Sequence, residues 1–127
     1  MSTRNVTVLT DAALITCIVQ RGAADAIVTA AQDAGAQGAT VYFARGTGVR
    51  ERLGVFGVTV EVEKEVIMIV VANDQVDRIF ERMYAAGKLD TPGMGFIYVT
   101  PLEKAATYVP REIAERLARQ PAGEGGE

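Results

Sequence analysis

One pattern of apolar residues occurs twice in the chain, and this repeat restricts the fold more than any other feature. Adding 52 to each residue number places residues of the first half on equivalent residues of the second, as in Ile18 on Val70, Ile27 on Ile79 and Gly35 on Gly87. The spacing in each copy predicts a strand, a helix and a second strand. Two such units in tandem predict an α+β fold of the ferredoxin-like type, the split βαββαβ arrangement.

The boundaries of the predicted elements follow from hydrophobic spacing and from turn residues. Strands are predicted over residues 13–20, 39–45, 64–72 and 95–100, and helices over residues 23–34 and 73–87, with Asn73 as the N-cap of the second helix. These elements predict a four-stranded antiparallel sheet with two helices on one face. Residues 1–12 are expected to be an N-terminal extension, residues 13–109 the domain, and residues 110–127 a short helix that starts at Pro110 and a disordered tail.

The predicted strands are apolar at successive positions instead of alternating between apolar and polar residues. Every residue from Val66 to Val71 is apolar, and Leu14, Ile15 and Ile18 continue this pattern in the first strand. A sheet with helices on one face and water on the other should alternate. Because large apolar patches are rare on soluble proteins, we expect the second face to be buried against other copies of the chain.

The composition restricts the setting of the protein and its chemistry. The 127 residues carry a formal net charge of -3, which does not favour binding to nucleic acid. Cys17 is the single cysteine, so no internal disulfide can form and a reducing cytoplasm is expected. No apolar stretch reaches the roughly 20 residues that insert across a membrane. Histidine is absent, which argues against most zinc sites and against histidine-dependent catalysis. We expect a protein that is not an enzyme, with no metal and no tightly bound cofactor.

Two pairs of glycines border the predicted strands. Gly46 and Gly48 follow the second strand, and Gly93 and Gly95 precede the last. Bare backbone at such turns can bring N–H groups close to a phosphate, although many glycine turns are purely structural. Neither segment matches a Walker A or dinucleotide-binding motif. Residues 46–63 are too long for a hairpin turn and are predicted to be a functional loop.

Charged residues near this loop allow more than one interpretation. Arg45, Arg50 and Arg52 could clamp an anion, and solvated loop arginines are an equally good interpretation. Three acidic residues alternate along the next segment, which favours a solvated strand face over a cation site: Glu61, Glu63 and Glu65. Cys17 lies within an apolar strand and is expected to be a buried packing thiol rather than a nucleophile.

The chain resembles the PII signal-transduction superfamily, as a divergent PII-like member. Residues 64–83 (KEVIMIVVANDQVDRIFERM) are similar to that family's buried strand, acidic turn and helix. Gly46-Thr47-Gly48 lies at the position of the family's Gly-Phe-Gly, where the flexible T-loop begins. Gly93-Met94-Gly95 lies at the Gly-Asp-Gly of the B-loop. The resemblance covers residues 14–99 and implies a T-loop over residues 46–63 and a B-loop over residues 87–95.

What the resemblance implies is a homotrimeric regulatory protein that binds an adenine nucleotide between subunits. Through its T-loop such a protein controls carbon or nitrogen transport or metabolism, often by binding a membrane transporter. Carried over by position, the nucleotide-binding residues are Ile18, Thr40, Gly46, Thr47, Gly48, Arg50, Val70, Gly93, Met94 and Gly95. Thr40 would lie near the adenine and the glycine turns near phosphate. Arg50 and Arg52 would hold a small anion such as bicarbonate, a ligand proposed for the inorganic-carbon and carboxysome-associated type.

Several residues depart from the family pattern and change the expected ligand. Val49 and Phe96 stand where the family has a phosphate-binding Arg and a B-loop Lys, and Thr107 and Val109 stand where it has two C-terminal arginines. Each missing cation removes a charge-assisted contact of about 1.5–3 kcal/mol. ADP and AMP are therefore favoured over ATP. Met68 replaces a Glu near the 2-oxoglutarate site, which weakens a standard nitrogen-sensing role.

Two other classes of function are compatible with the same order of elements. The first is a small oligomeric ferredoxin-like enzyme with an active site at a subunit interface, using carboxylates or Tyr42, Tyr84 and Tyr98. The second is an RNA-binding module, which the third predicted strand disfavours because it lacks the basic and aromatic stacking positions that such modules use.

Overall fold

The structure of the protein is a computed structural model that describes residues 7–46, 62–108 and Glu112. Its elements are, in chain order, strand β1 (Val8–Leu9), strand β2 (Ala12–Gln20), helix α1 (Ala24–Asp33), strand β3 (Thr40–Gly46), strand β4 (Val62–Ala72), a 3₁₀ turn (Asn73–Gln75), helix α2 (Val76–Ala86), strand β5 (Gly95–Leu102) and strand β6 (Ala105–Ala106).

Strands β2 to β5 form one antiparallel sheet in the order β3-β4-β2-β5. The central strand β2 pairs with both β4 and β5, so that Thr16 lies opposite Met68 on one side and Tyr98 on the other. Each helix follows a strand and leads to an edge strand, and both helices pack on the same face of the sheet. The predicted ferredoxin-like fold is confirmed.

The core lies between the two helices and one face of the sheet. Ile15 and Ile67 point from the two central strands towards the helices and are fully buried. Ile27, Ile79 and Met83 meet them from the helices and are also fully buried. Complete burial of a side chain of this size contributes about 1.5–3 kcal/mol. The layer also fixes the pairing of the strands, because a slip by one residue would turn these side chains to the opposite face.

The sequence repeat corresponds to a structural repeat. Helix α1 begins at Ala24 and α2 at Val76, which is 24 + 52. The equivalent residues Ile27 and Ile79 are both fully buried at the same position of their helices. The repeat ends after α2, since the counterpart of Thr40 would be residue 92 (40 + 52) whereas β5 begins at Gly95.

The opposite face of the sheet, which we call the helix-free face, is apolar as well. Its exposed members lie mainly on the edge strands: Tyr42 is 46% exposed, Phe96 60% and Tyr98 41%. Val70 of the central strand β4 is 51% exposed on the same face. Phe96 and Tyr98 contact each other with ring centroids 5.4 Å apart. Within residues 7–46 and 62–108, these side chains remain exposed, and the strands are apolar on both faces as their lack of alternation indicates.

Asn73 is not the N-cap of the second helix, and this prediction is wrong. The chain forms a 3₁₀ turn over Asn73–Gln75 before α2 begins, and no side chain caps that turn or the helix. The Asn73 amide instead donates to the Asp11 carboxylate, 2.8 Å from Nδ2 to Oδ1, while the Asn73 backbone N–H donates to the Asp11 carbonyl oxygen. The residue therefore links the start of β2 to the end of β4.

A short ribbon lies outside the main sheet and was not predicted. Strand β1 pairs with β6 in antiparallel register, with Val8 opposite Ala106 and Leu9 opposite Ala105. It joins part of the predicted N-terminal extension to the segment after β5. The predicted helix and tail over residues 110–127 lie outside the described residues, apart from Glu112. Neither α1 nor α2, the helices of the described part, is long and apolar enough to cross a membrane.

Candidate functional site

Several of the predicted nucleotide-binding residues lie at one end of the sheet, which we call the glycine end. There β2 and β3 finish and β4 and β5 begin. Gly46 is the last residue of β3, and residues 93–95 lead into β5. Ile18 lies between them on the helix-free face of β2, opposite Phe96. Gly46 and residues 93–95 are on opposite edge strands, three strand spacings or about 14 Å apart.

Gly95 has no room for a side chain. A Cβ on this residue would lie 2.5 Å from the Ile18 carbonyl oxygen and 2.8 Å from Val19 Cγ1. Its φ of 150° and the φ of 84° at Gly93 are also unfavourable for other residues. Glycine is therefore needed at Gly95 because the B-loop backbone packs directly against the end of β2.

Gln20 forms a hydrogen bond to the start of the same turn, at Gly93, and the sequence interpretation did not predict this contact. Its side-chain Nε2 donates to the Gly93 carbonyl oxygen at 2.9 Å, across 73 positions of sequence. Gln20 is the last residue of β2 and lies on the same face as Ile18, because the two are separated by two residues. No local pattern predicts a contact between residues so distant in sequence.

Thr40 and Val70 lie near the opposite end of the sheet, which we call the threonine end. Thr40 is the first residue of β3, and Gly46 is six residues further along the same strand, roughly 20 Å away. Val70 pairs with Leu14, near the start of β2. Both side chains are exposed on the helix-free face. The predicted residues of one chain are thus divided between two distant places.

The cations of the glycine end point to different faces of the sheet. Arg45 lies opposite Glu63 on the helix-covered side. Lys64 lies opposite Gln20 on the helix-free side, and its Cγ would be 3.9 Å from a Cβ placed on Gly46. Lys64 is therefore the cation that shares a face with Ile18, and the sequence interpretation did not single it out. Four predicted site residues lie outside the described part of the chain: Thr47, Gly48, Arg50 and Arg52.

The acidic residues at the start of β4 hold the chain together locally. One carboxylate oxygen of Glu65 accepts the backbone N–H groups of Gly22 and Ala24, both at 2.9 Å. Because Ala24 is the first residue of α1, Glu65 satisfies a helix N–H group that has no partner within the helix. Glu63 forms an exposed ion pair with Arg21 at 2.6 Å. The solvated-face interpretation is wrong for Glu65, and Glu61 lies outside the described residues.

Neither a metal site nor a cysteine nucleophile is formed by the described residues. Within residues 7–46 and 62–108, no group of three or more Cys, Asp and Glu side chains could hold a metal ion. Burial raises the pKa of the Cys17 thiol to about 11, so the thiolate is scarce at neutral pH. The predicted packing role of Cys17 agrees with its full burial.

The three tyrosines named for an enzyme do not converge within one chain. Tyr42 and Tyr98 lie on opposite edge strands, about 14 Å apart by strand spacing. Tyr84 belongs to α2, on the other side of the sheet. A catalytic group of these residues could therefore form only between copies of the chain.

Comparison with known proteins shows the family to which the chain belongs. The sequence matches the family described as "Nitrogen regulatory protein P-II" over residues 12–112. Among solved structures 205 chains match. One is the crystal structure of Arabidopsis thaliana PII bound to citrate, with 26% identity, a TM-score of 0.59, and coverage of 74% of this chain and 79% of that one. No curated protein matches the sequence. Since the family match extends over well more than half of the residues, this chain belongs to the P-II family of regulatory proteins.

Proposed function

We propose that this protein is a cytoplasmic, homotrimeric regulator that binds AMP or ADP in preference to ATP. The nucleotide lies between two copies of the chain, and residues 46–63 report its presence to a protein target such as a membrane transporter. The protein carries out no catalysis in this role.

The division of the candidate residues between the two ends of the sheet is the observation that carries this proposal. The glycine turns are suited to phosphate, because backbone without side chains can approach it closely. Thr40, the residue assigned to adenine, is roughly 20 Å from Gly46 along the same strand, which is longer than an AMP molecule. Thr40 and Gly46 of one chain are therefore too far apart to contact the adenine and the phosphate of the same AMP. Two copies can contact both, when the glycine end of one adjoins the threonine end of the next.

The apolar helix-free face supports the assembly that this arrangement requires. Phe96, Val70 and Tyr42 expose about half of their surface or more in the single chain. Exposed apolar surface of this kind, grouped on one face, is typical of a subunit interface. The same contacts would bring Ile18 of one copy and Val70 of a neighbouring copy together in the trimer.

The small number of cations supports a ligand with few phosphates. Phe96 occupies the position at which a Lys would contact phosphate, and it is 60% exposed beside Gly95. Lys64 is the described cation of the helix-free face at this end. Of the residues that the structure describes, the charge on this face matches one or two phosphates better than three. A carboxylate or bicarbonate ion is a candidate second ligand with Arg50 and Arg52, and the Arabidopsis relative is a PII protein bound to citrate.

Titration calorimetry of the full chain tests the proposal. AMP, ADP and ATP are each titrated into the protein, alone and in the presence of bicarbonate, citrate or 2-oxoglutarate. We expect AMP and ADP to bind with one site per chain and ATP to bind more weakly. The absence of binding heat for all three nucleotides would remove the nucleotide-sensor function. Tighter binding of ATP than of AMP would overturn the proposed preference.

A further inference from the structure

We propose that the junction between β2 and α1, residues 20–24, couples the two glycine turns of the site, with Gln20 as the positioning residue for residues 93–95. This inference rests on the proposed function, because it assigns the junction a role in binding the phosphate of the nucleotide. Three neighbouring residues of this junction make hydrogen bonds to the B-loop or to β4, the strand that pairs with Gly46: Gln20, Arg21 and Gly22.

The first half of the link fixes one peptide group of the B-loop at both of its ends. The Gly93 carbonyl oxygen accepts the Gln20 amide at 2.9 Å. The N–H of the same peptide group, which belongs to Met94, donates to the Thr91 carbonyl oxygen at 3.2 Å. Because the backbone at Gly93 is unrestrained by a side chain, this peptide could otherwise rotate at little cost. The Gln20 bond therefore holds the turn in one conformation before a ligand arrives.

The direction of this bond matters for an anionic ligand. A carbonyl oxygen repels phosphate, whereas N–H groups attract it. The Gly93 carbonyl oxygen points at the side-chain amide of Gln20 and so away from a ligand. Gly95 packs closely against the Ile18 carbonyl. Preorganisation of this kind increases affinity, because less conformational freedom is lost on binding.

The second half of the link connects the junction to the start of β4. Glu65 accepts the N–H groups of Gly22 and Ala24, and Glu63 pairs with Arg21. These carboxylates follow Val62, which lies opposite Gly46 in the last pair of the β3-β4 ladder. The Arg21 pair is exposed and contributes little, whereas Glu65 is half-buried and binds two backbone groups. Displacement at the Gly46 turn is thus transmitted through β4 and Glu65 to Gln20 and the B-loop.

Gln20→Ala and Gln20→Glu test the first half against adenosine, AMP and ADP by titration calorimetry. We expect Gln20→Ala to weaken AMP and ADP binding about fivefold and to leave adenosine binding unchanged, because the bond acts only on the phosphate-binding turn. Gln20→Glu keeps the shape but replaces the donor with a carboxylate, so its loss should be larger. Gln32→Ala, at an exposed position of α1, is the matched control and should behave like the unsubstituted protein.

Glu65→Ala tests the second half by hydrogen exchange and by the same titrations. We expect faster exchange of the amides of residues 93–96, a selective loss of AMP affinity over adenosine affinity, and a less than additive effect when it is combined with Gln20→Ala. Glu65→Gln retains an acceptor oxygen and should be closer to the unsubstituted protein.

Three results would overturn the inference: equal loss of adenosine and AMP affinity in Gln20→Ala, no change in either, or additive effects in the double variant. If the unsubstituted protein binds no nucleotide, the proposed function fails instead. Hydrogen exchange at residues 93–96 still tests the link in that event, because it requires no ligand. Faster exchange in both Gln20→Ala and Glu65→Ala would support the link, and unchanged exchange would contradict it.

Discussion

The two faces of the sheet are both apolar, but among the described residues of the central strands the helix-covered face is packed more completely than the helix-free face. On the helix-covered face Ile15, Ile67 and Ile69 are at most 1% exposed, whereas on the helix-free face Val70 is 51% exposed and Phe96 60%. Val70 and Val71, which are adjacent in β4, therefore have opposite surroundings. The helix-covered face thus supplies the core of the single chain, and in the proposed function the helix-free face contacts neighbouring copies and the ligand.

The largest expected effect lies in the helix-covered layer. Ile27→Ala should lower the free energy of unfolding by about 3–4 kcal/mol, because Ile27 is fully buried between the sheet and α2 and the cavity would be filled only in part. Denaturant unfolding followed by circular dichroism measures the loss. A cost below about 1 kcal/mol would show that this layer is not closely packed.

Cys17 makes the same layer sensitive to alkaline pH. Burial raises the pKa of its thiol from 9.0 to about 11, so the unfolded chain loses this proton at a lower pH than the folded chain. The free energy of unfolding should therefore fall as the pH rises from 9 towards 11, by about 2–3 kcal/mol in total. Cys17→Ala should remove this part of the pH dependence. An identical slope in both proteins above pH 9 would contradict the assignment.

Val71 and Val70 form a matched pair that compares the two faces directly. Val71 is 4% exposed on the helix-covered face, and Val70 is its exposed neighbour on the other. Val71→Ala should cost about 2 kcal/mol at every protein concentration, since two buried methyl groups are lost. Val70→Ala should act mainly through assembly, so its effect on the unfolding midpoint should depend on protein concentration. Equal, concentration-independent costs would show that the faces do not differ in this way.

The smallest effect is expected for the exposed ion pair between Arg21 and Glu63. Arg21→Ala should change the free energy of unfolding by less than about 0.5 kcal/mol, because both side chains are more than half exposed. Glu65→Ala, two residues along the same strand from Glu63, should cost about 1–2 kcal/mol, because it leaves the N–H groups of Gly22 and Ala24 without their acceptor. Thermal unfolding of the two variants measures both costs. A larger cost for Arg21→Ala than for Glu65→Ala would contradict the role assigned to these contacts.

Periodic features of the sequence predicted the fold, whereas contacts between residues distant in sequence could not be predicted. The repeat that relates Ile27 to Ile79 reports on each helix's buried face, and the apolar runs in β2 and β4 report on both faces of the sheet. Strands β1 and β6 contain two residues each, too few to show any period.

For the candidate site as well, residues with a local sequence signature were predicted and residues that act through distant contacts were not. Glycine turns have a local signature, so Gly46, Gly93 and Gly95 were named from the sequence. Gln20 has none, because its partner Gly93 is 73 residues away. Glu65 was assigned to a solvated strand because alternation of charge does not reveal that the start of α1 lies above one of the carboxylates.

Native mass spectrometry of the full chain with AMP tests the central claim most directly, since it counts chains and ligands in one particle. The proposed site between copies predicts a trimer that carries up to one AMP per chain, with no AMP on any monomer. AMP bound to monomers, or a trimer that binds none, would contradict it.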